Sequence, residues 1–199
     1  MTKQDPMGVL WERLGAADPG VVADRCIATW HPERLVYTVP LLTSRLSVSP
    51  QERRVEEGDS PAGYEPTLVC VQYLLNARNE PPGGEMVSPR SLPYGDFFFR
   101  GQHVMPTAHL ADAYGTRLDA FRSAAQSLGG VPRDMADAAY EFRALPRVPV
   151  TVLVWGAGDE FPARVQFLLD SAATRQLPVD ALWVLGRIVA KRLAAADPQ

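Results

Sequence analysis

The residues best suited to chemistry gather in one short segment, Trp155-Gly156-Ala157-Gly158-Asp159-Glu160-Phe161-Pro162. An apolar run ends there, a glycine-rich turn follows, and two adjacent carboxylates appear. Asp159 or Glu160 at such a junction can serve as a general base or join a metal site, because an exposed carboxylate accepts a proton or a cation. The competing reading is structural: Asp159 caps a following helix and Glu160 complements its dipole. The glycines do not make a dinucleotide fingerprint, since the third glycine of that pattern falls on Phe161 and no βαβ unit surrounds it. No Gly-Lys-Ser/Thr follows, which excludes a P-loop.

A second group of polar handles sits beside aromatic residues in FFFRGQHVMPTAH, residues 97–109. Arg100 and His103 belong to it, and Tyr94 lies just before it. His103 and His109 are six apart with Pro106 between them, so they do not share a helical face and supply no metal-ligand spacing. No metal site is expected. There is no GxSxG, and neither cysteine sits in a Cys/His signature. Gly83-Gly84 reads first as a turn and second as an anion nest.

These groups must be positioned by a chain of 199 residues that is 46% apolar and 22% charged, an ordinary globular composition that excludes disorder and coiled coil. Twenty basic and twenty-three acidic side chains leave a net charge of −3, which gives no nucleic-acid footprint. Cys26 and Cys70 are the only cysteines, so this chain alone does not hold an iron–sulfur cluster; a single bridge between them stays open. Residues 1–7 are polar, without the apolar core of a signal peptide. The longest apolar stretches, 68–75 and 148–155, fall short of the ~18 residues of a membrane span. A cytoplasmic location is the expectation.

Periodicity places helices over 6–14, from Asp18-Pro19 onward, over 66–77, behind Thr116, over 161–173 and over 178–196. The second carries Val22, Cys26 and Trp30 on one side. In the third, Val69 and Val71 keep a buried strand as the alternative. Thr116 with Asp119 resembles a capping box, and Gly129-Gly130 stops the helix behind it. Strands are expected over 35–38, 41–48, 140–145 and 148–155, the last pair forming a hairpin with a central second strand. Residues 97–99 read as a strand edge or a plug into the core. Residues 51–66 read as a solvated loop or hairpin tip and 79–90 as a loop. The fold expected is α+β, one domain over 1–199, with an antiparallel sheet of about four to six strands packed by helices at both chain ends.

Several segments in this order resemble a known family. They are Gln72-Tyr73-Leu74-Leu75-Asn76-Ala77, Ser127-Leu128-Gly129-Gly130, Pro146-Arg147-Val148-Pro149-Val150, and Trp155 followed by Gly158-Asp159-Glu160-Phe161-Pro162-Ala163, Leu169-Asp170 and Leu177-Pro178. Together they are similar to the family called domain of unknown function 3786, found mostly in anaerobic bacteria and methanogenic archaea. The resemblance brings no established activity. It implies a cytoplasmic protein of anaerobic redox or one-carbon metabolism that handles a cofactor or partners a metalloprotein. Some family members carry an iron–sulfur segment; this chain lacks its cysteines, so a cluster would belong to a partner.

Two functional expectations follow. The first is a non-catalytic cofactor-binding or accessory protein, with Tyr94, Arg100, His103, Trp155, Asp159 and Glu160 around its ligand; the cofactor itself is not identified by the sequence. The second is a hydrolase or lyase using Asp159 or Glu160 as base and His103 as acid. Self-association into a homo-oligomer is a further expectation, tied to an exposed apolar patch.

Overall fold

Two proline-led helices open the chain. In the computed structural model, which describes residues 5–197, they are α1 (Pro6–Ala16) and α2 (Pro19–Cys26). Most of the expected polar segment, residues 1–4, lies outside the described residues. Each helix starts with proline behind an aspartate, and the Asp5 and Asp18 carboxylates accept from Met7 N and Val21 N, each at 3.1 Å. Pro at the first helical position loses no bond there, because that N–H has no intrahelical partner. α2 stops at Cys26 because Ile27 turns left-handed. Trp30 therefore does not ride on the helix as expected; it packs on Tyr37, centroids 4.6 Å apart, across the first strand pair.

The first sheet is an antiparallel meander of β1 (Thr29–His31), β2 (Val36–Leu41), β3 (Ser44–Ser49), β4 (Arg54–Glu57) and β5 (Ser60–Pro61), in that order. The polar stretch 51–66 thus holds the hairpin of the two alternatives, with β4 and β5 paired antiparallel, and the first turn of α3 (Tyr64–Asn76). Only Val55, 2% exposed, faces the core from β4, and one apolar residue gives too weak an alternation to read. α3 is the buried helix expected, with Val69, Cys70, Val71, Tyr73 and Leu74 inside.

β6 (Met86–Val87) and a 3₁₀ turn, Pro89–Ser91, lie in the stretch expected as loop. Phe97 and Phe98 end a one-turn helix, α4 (Gly95–Phe98), not a strand edge, and Phe99, its C-cap, is the expected plug into the core. The helix end splits the triplet: Phe97 is 90% exposed and Phe99 4%. Next come α5 (Thr107–Tyr114) and α6 (Leu118–Ser127). The capping box does not form; Arg117 stands at the N-cap position and Asp119 instead pairs with Arg122 at 2.8 Å. Gly129, at φ +71°, ends α6 as expected.

β7 (Val131–Pro132), β8 (Ala138–Leu145), β9 (Val148–Trp155) and β10 (Arg164–Asp170) complete the second sheet, antiparallel in the order β6-β10-β9-β8-β7. The hairpin and its central β9 are as expected. The helix expected over 161–173 is instead β10. Val165, Phe167 and Leu169 enter the main core, while Leu168 packs on the opposite face with Ala139 and Leu153. A strand buried on both faces loses its alternation and imitates a helix in sequence. A short helix, α7 (Ala173–Gln176), and α8 (Val179–Ala195) close the chain.

α8 is buried over most of its circumference and packs on α3, α5 and α6. One contiguous apolar cluster runs through both sheets and all the longer helices. The sheets also meet directly, where Leu42 N donates to Ala144 O at 2.9 Å. None of the helices among the described residues is long and apolar enough to cross a membrane. Both thiols are free and buried, which closes the disulfide alternative. Burial pushes the Cys26 thiol up to about 11 and Cys70 up to about 12.

Glu57, at the end of β4, ties the first sheet to α8: it accepts from Arg192 and, at 2.5 Å, from Ser44 Oγ. The hydrogen bond from Arg192 holds its carboxyl below the ordinary glutamate range. A carboxyl lowered on folding contributes stability above its unfolded value, about 4.3, and that contribution disappears as pH falls through the folded value. Glu57→Gln should therefore flatten the loss of stability on acidification below about pH 5, read from urea unfolding across pH. Because the thiolate is the reactive form, neither cysteine of the native protein should react with a thiol reagent at pH 8, and both should react in denaturant.

Candidate functional site

Trp155 ends β9, half-buried, with the Arg164 guanidinium 4.2 Å above its ring. It borders a recess of about 600 Å³ completed by Asp137, Gly156 and residues 161–164. Asp159 and Glu160 lie next to this recess but do not line it; both are exposed in the 156–163 turn of the β9–β10 hairpin. With β10 following the turn, there is no helix for Asp159 to cap and no dipole for Glu160 to complement. The turn is held by backbone groups instead: Ala157 N donates to Gly115 O at 2.8 Å, and Gly156 N to Asp137 Oδ2 at 2.9 Å.

The other three predicted residues sit around α4. Tyr94 is 84% exposed at φ 62°. Arg100 pairs with Asp96, which also takes Arg90 at 2.6 Å. Hydrogen bonds from Arg90 above all, and from Arg100, hold the Asp96 carboxyl below its ordinary range. His103 stacks on Phe98 at 4.4 Å and meets Trp183 edge-on at 5.2 Å. Of the six, only Trp155 borders the recess at the hairpin turn.

A second recess, of about 480 Å³, lies on the outer face of the second sheet and contains none of the six. Its floor includes Glu141 and Arg143 of β8, Pro149 of β9 and Asp170 of β10; its wall is the segment Pro81, Pro82 and Gly84. That wall is held in an unusual way. Four polar or charged side chains are buried among the described residues: Arg147, Thr151, Asp170 and Gln176. Three of them fix residues 78–84. Asp170 accepts from Gly83 N and Gly84 N, and from Ala172 N, all at 2.8 Å. Arg147 donates to Glu80 O at 2.8 Å, Asn79 Oδ1 at 2.5 Å and Arg25 O at 2.6 Å. Gln176 accepts from Arg78 N at 2.9 Å and donates to Glu80 O at 3.3 Å.

Gly83-Gly84 therefore forms an anion nest, and its anion is the chain's own Asp170. Glycine suits both positions. A Cβ on Gly83 would stand 2.6 Å from Ser171 Oγ, and Gly84 holds φ +82°. Each charged group here is buried against neutral partners, Asp170 on amides and Arg147 on carbonyl oxygens. Removing a charged group's hydrogen bonds in such a place leaves desolvated groups unpaired.

The wall also carries strain. Ile27, which borders the recess, takes φ 52° and ψ 42° at the end of α2. The left-handed conformation costs a side-chain-bearing residue about 1–2 kcal/mol, and a β-branched residue there is an outlier. Glycine is the usual occupant of that position. Here the fold instead holds an isoleucine that is 54% exposed beside the recess.

The sequence reading missed Arg133, Glu141, Arg143, Arg147 and Asp170. Two signals pointed to them: a lone aspartate ending the apolar run VQFLLD, and an arginine in the tight turn between two apolar strands. Asp170→Asn keeps the shape but replaces one acceptor oxygen with an NH2 facing backbone N–H groups. It should lower unfolding free energy by about 3 kcal/mol, measured by urea denaturation, and should raise amide exchange at Gly83 and Gly84.

No curated protein and no solved structure matches the chain. Residues 18–192 match the family described as Domain of unknown function (DUF3786). That match spans most of the chain, and the protein belongs to this family.

Proposed function

We propose that this chain is a non-catalytic binding or accessory protein that holds a small molecule between the 78–84 wall and the outer face of the second sheet. One observation carries the reading: three of the four buried polar side chains fix that single wall. Connecting loops are ordinarily mobile and tolerant of change. A wall fixed in advance lowers the ordering cost of binding and holds recognition groups in place. The proposal extends to a cytoplasmic setting in anaerobic redox or one-carbon metabolism, with a metalloprotein or iron–sulfur protein as partner, as the family resemblance implies.

The hydrolase or lyase alternative requires a carboxylate and an imidazole converging on one concave site. Asp159 and Glu160 sit on the β9–β10 turn, whereas His103 is packed between Phe98 and Trp183. Nothing in this geometry favours it over binding.

The test is a melting-temperature scan of the purified protein against small metabolites and anaerobic cofactors. A ligand at a hundred times its Kd adds about 2.7 kcal/mol of apparent stability. At least one compound should raise Tm, and Asp170→Asn should weaken its binding by loosening the wall. Asp159→Asn and Glu160→Gln should leave that binding intact and stability within about 0.5 kcal/mol, as for exposed positions in general. A scan in which no compound moves Tm would overturn the proposal.

A further inference from the structure

We infer that the molecule held in this recess is a small organic anion with an apolar body, its carboxylate or phosphate group bound by Arg143 and Arg133. The inference rests on the binding function proposed above and adds the chemical class of the ligand.

The first argument is charge. The chain as a whole is acidic, at −3, yet three arginines border this recess: Arg133, Arg143 and Arg147. The two carboxylates beside them, Glu141 and Asp170, offset two of the three positive charges and leave the recess net cationic. Asp170 is engaged by three backbone N–H groups. Glu141 is engaged by Arg133, through Nε at 3.2 Å and Nη2 at 2.9 Å. Arg147 meets only uncharged acceptors. Arg143 is exposed and has no hydrogen-bond or ion-pair partner among the described residues. The recess therefore presents one guanidinium with all its donors open and a second cation buried nearby. A planar, permanently charged guanidinium is matched best by carboxylate or phosphate oxygens.

Strand register supplies the second argument. Val131 pairs with Glu141, and Arg143 with Pro149. Glu141 and Arg143 are two residues apart on β8, so both side chains leave the same face of the sheet. Arg133, just beyond β7, reaches Glu141 on that face. The result is a row of guanidinium, carboxylate and guanidinium. An anionic head group completes it by bridging Arg143 and the donors of Arg133 that Glu141 leaves open.

The third argument is the apolar surround. Ile27, Pro81, Pro82, Met86 and Pro149 border the same space. Ile27 is there at the cost of a left-handed backbone that glycine would adopt without strain. A volume of about 480 Å³ suits a small organic molecule.

The experiment titrates the full-length protein with phenylacetate, phenyl phosphate and neutral phenylacetamide, following backbone amide shifts. The two anions should move the amides of Gly83, Gly84 and Arg143, and phenylacetamide should bind at least tenfold more weakly. The tighter of the two anions identifies the head group. Arg143→Gln should weaken anion binding tenfold or more at unchanged Tm. Ile27→Gly should weaken it at an unchanged or higher Tm, a combination that a purely structural role would not produce. Arg164→Gln, in the other recess, should leave Kd unchanged. Equal binding of phenylacetamide, or indifference to Arg143→Gln, would overturn the anion assignment while leaving a binding recess in place. If neither these probes nor any compound of the metabolite scan shifts those amides, the binding function falls as well.

Discussion

Two buried charges of opposite sign organise this molecule without touching each other. Asp170 is satisfied by amide N–H groups and Arg147 by carbonyl and amide oxygens, and both act on the same loop. A buried ion is tolerated only when its hydrogen-bonding capacity is filled. Here the backbone fills it, so charge burial and loop placement become one constraint. Without the loop, Asp170 would keep only the Ala172 N–H and Arg147 only the Arg25 carbonyl among these partners.

The same device links distant parts of the chain. Arg147 also takes the carbonyl of Arg25 near the end of α2, and Arg25 in turn donates to Leu74 O and Leu75 O near the end of α3. Helix C-termini carry orphan carbonyls and partial negative charge, and guanidinium groups answer both. Tyr73 and Cys26 complete the junction: the tyrosine hydroxyl donates to Cys26 O at 2.9 Å. The ends of α2 and α3 and the central hairpin of the second sheet thus meet at one set of polar contacts inside an otherwise apolar core.

Much of the scaffold was legible because its signals are local. Asp-Pro at two helix starts, the Gly129 stop, the valine-rich β9 and the apolar faces of α3 and α8 each follow from a few adjacent residues. β10 was not legible, because Leu168 is covered by long-range packing and so hides the strand's alternation. That one misreading moved the candidate site. With a helix after the hairpin turn, Asp159 and Glu160 look like a functional junction; with a strand, they are exposed turn residues. The polar residues of the other recess come from β7–β10 and from loops far apart in sequence, and only strand register unites them. Asp170 and Arg147 were visible within the family's motifs, but their partners are backbone atoms, which leave no trace in residue types.

The sheets end in a particular way. Each of the four outermost strands has only two or three residues, and two of them, β5 and β7, finish in proline. Proline offers no N–H, and so short a strand presents almost no ladder for another chain to extend. Extension of the sheets from these four short strands is thereby disfavoured.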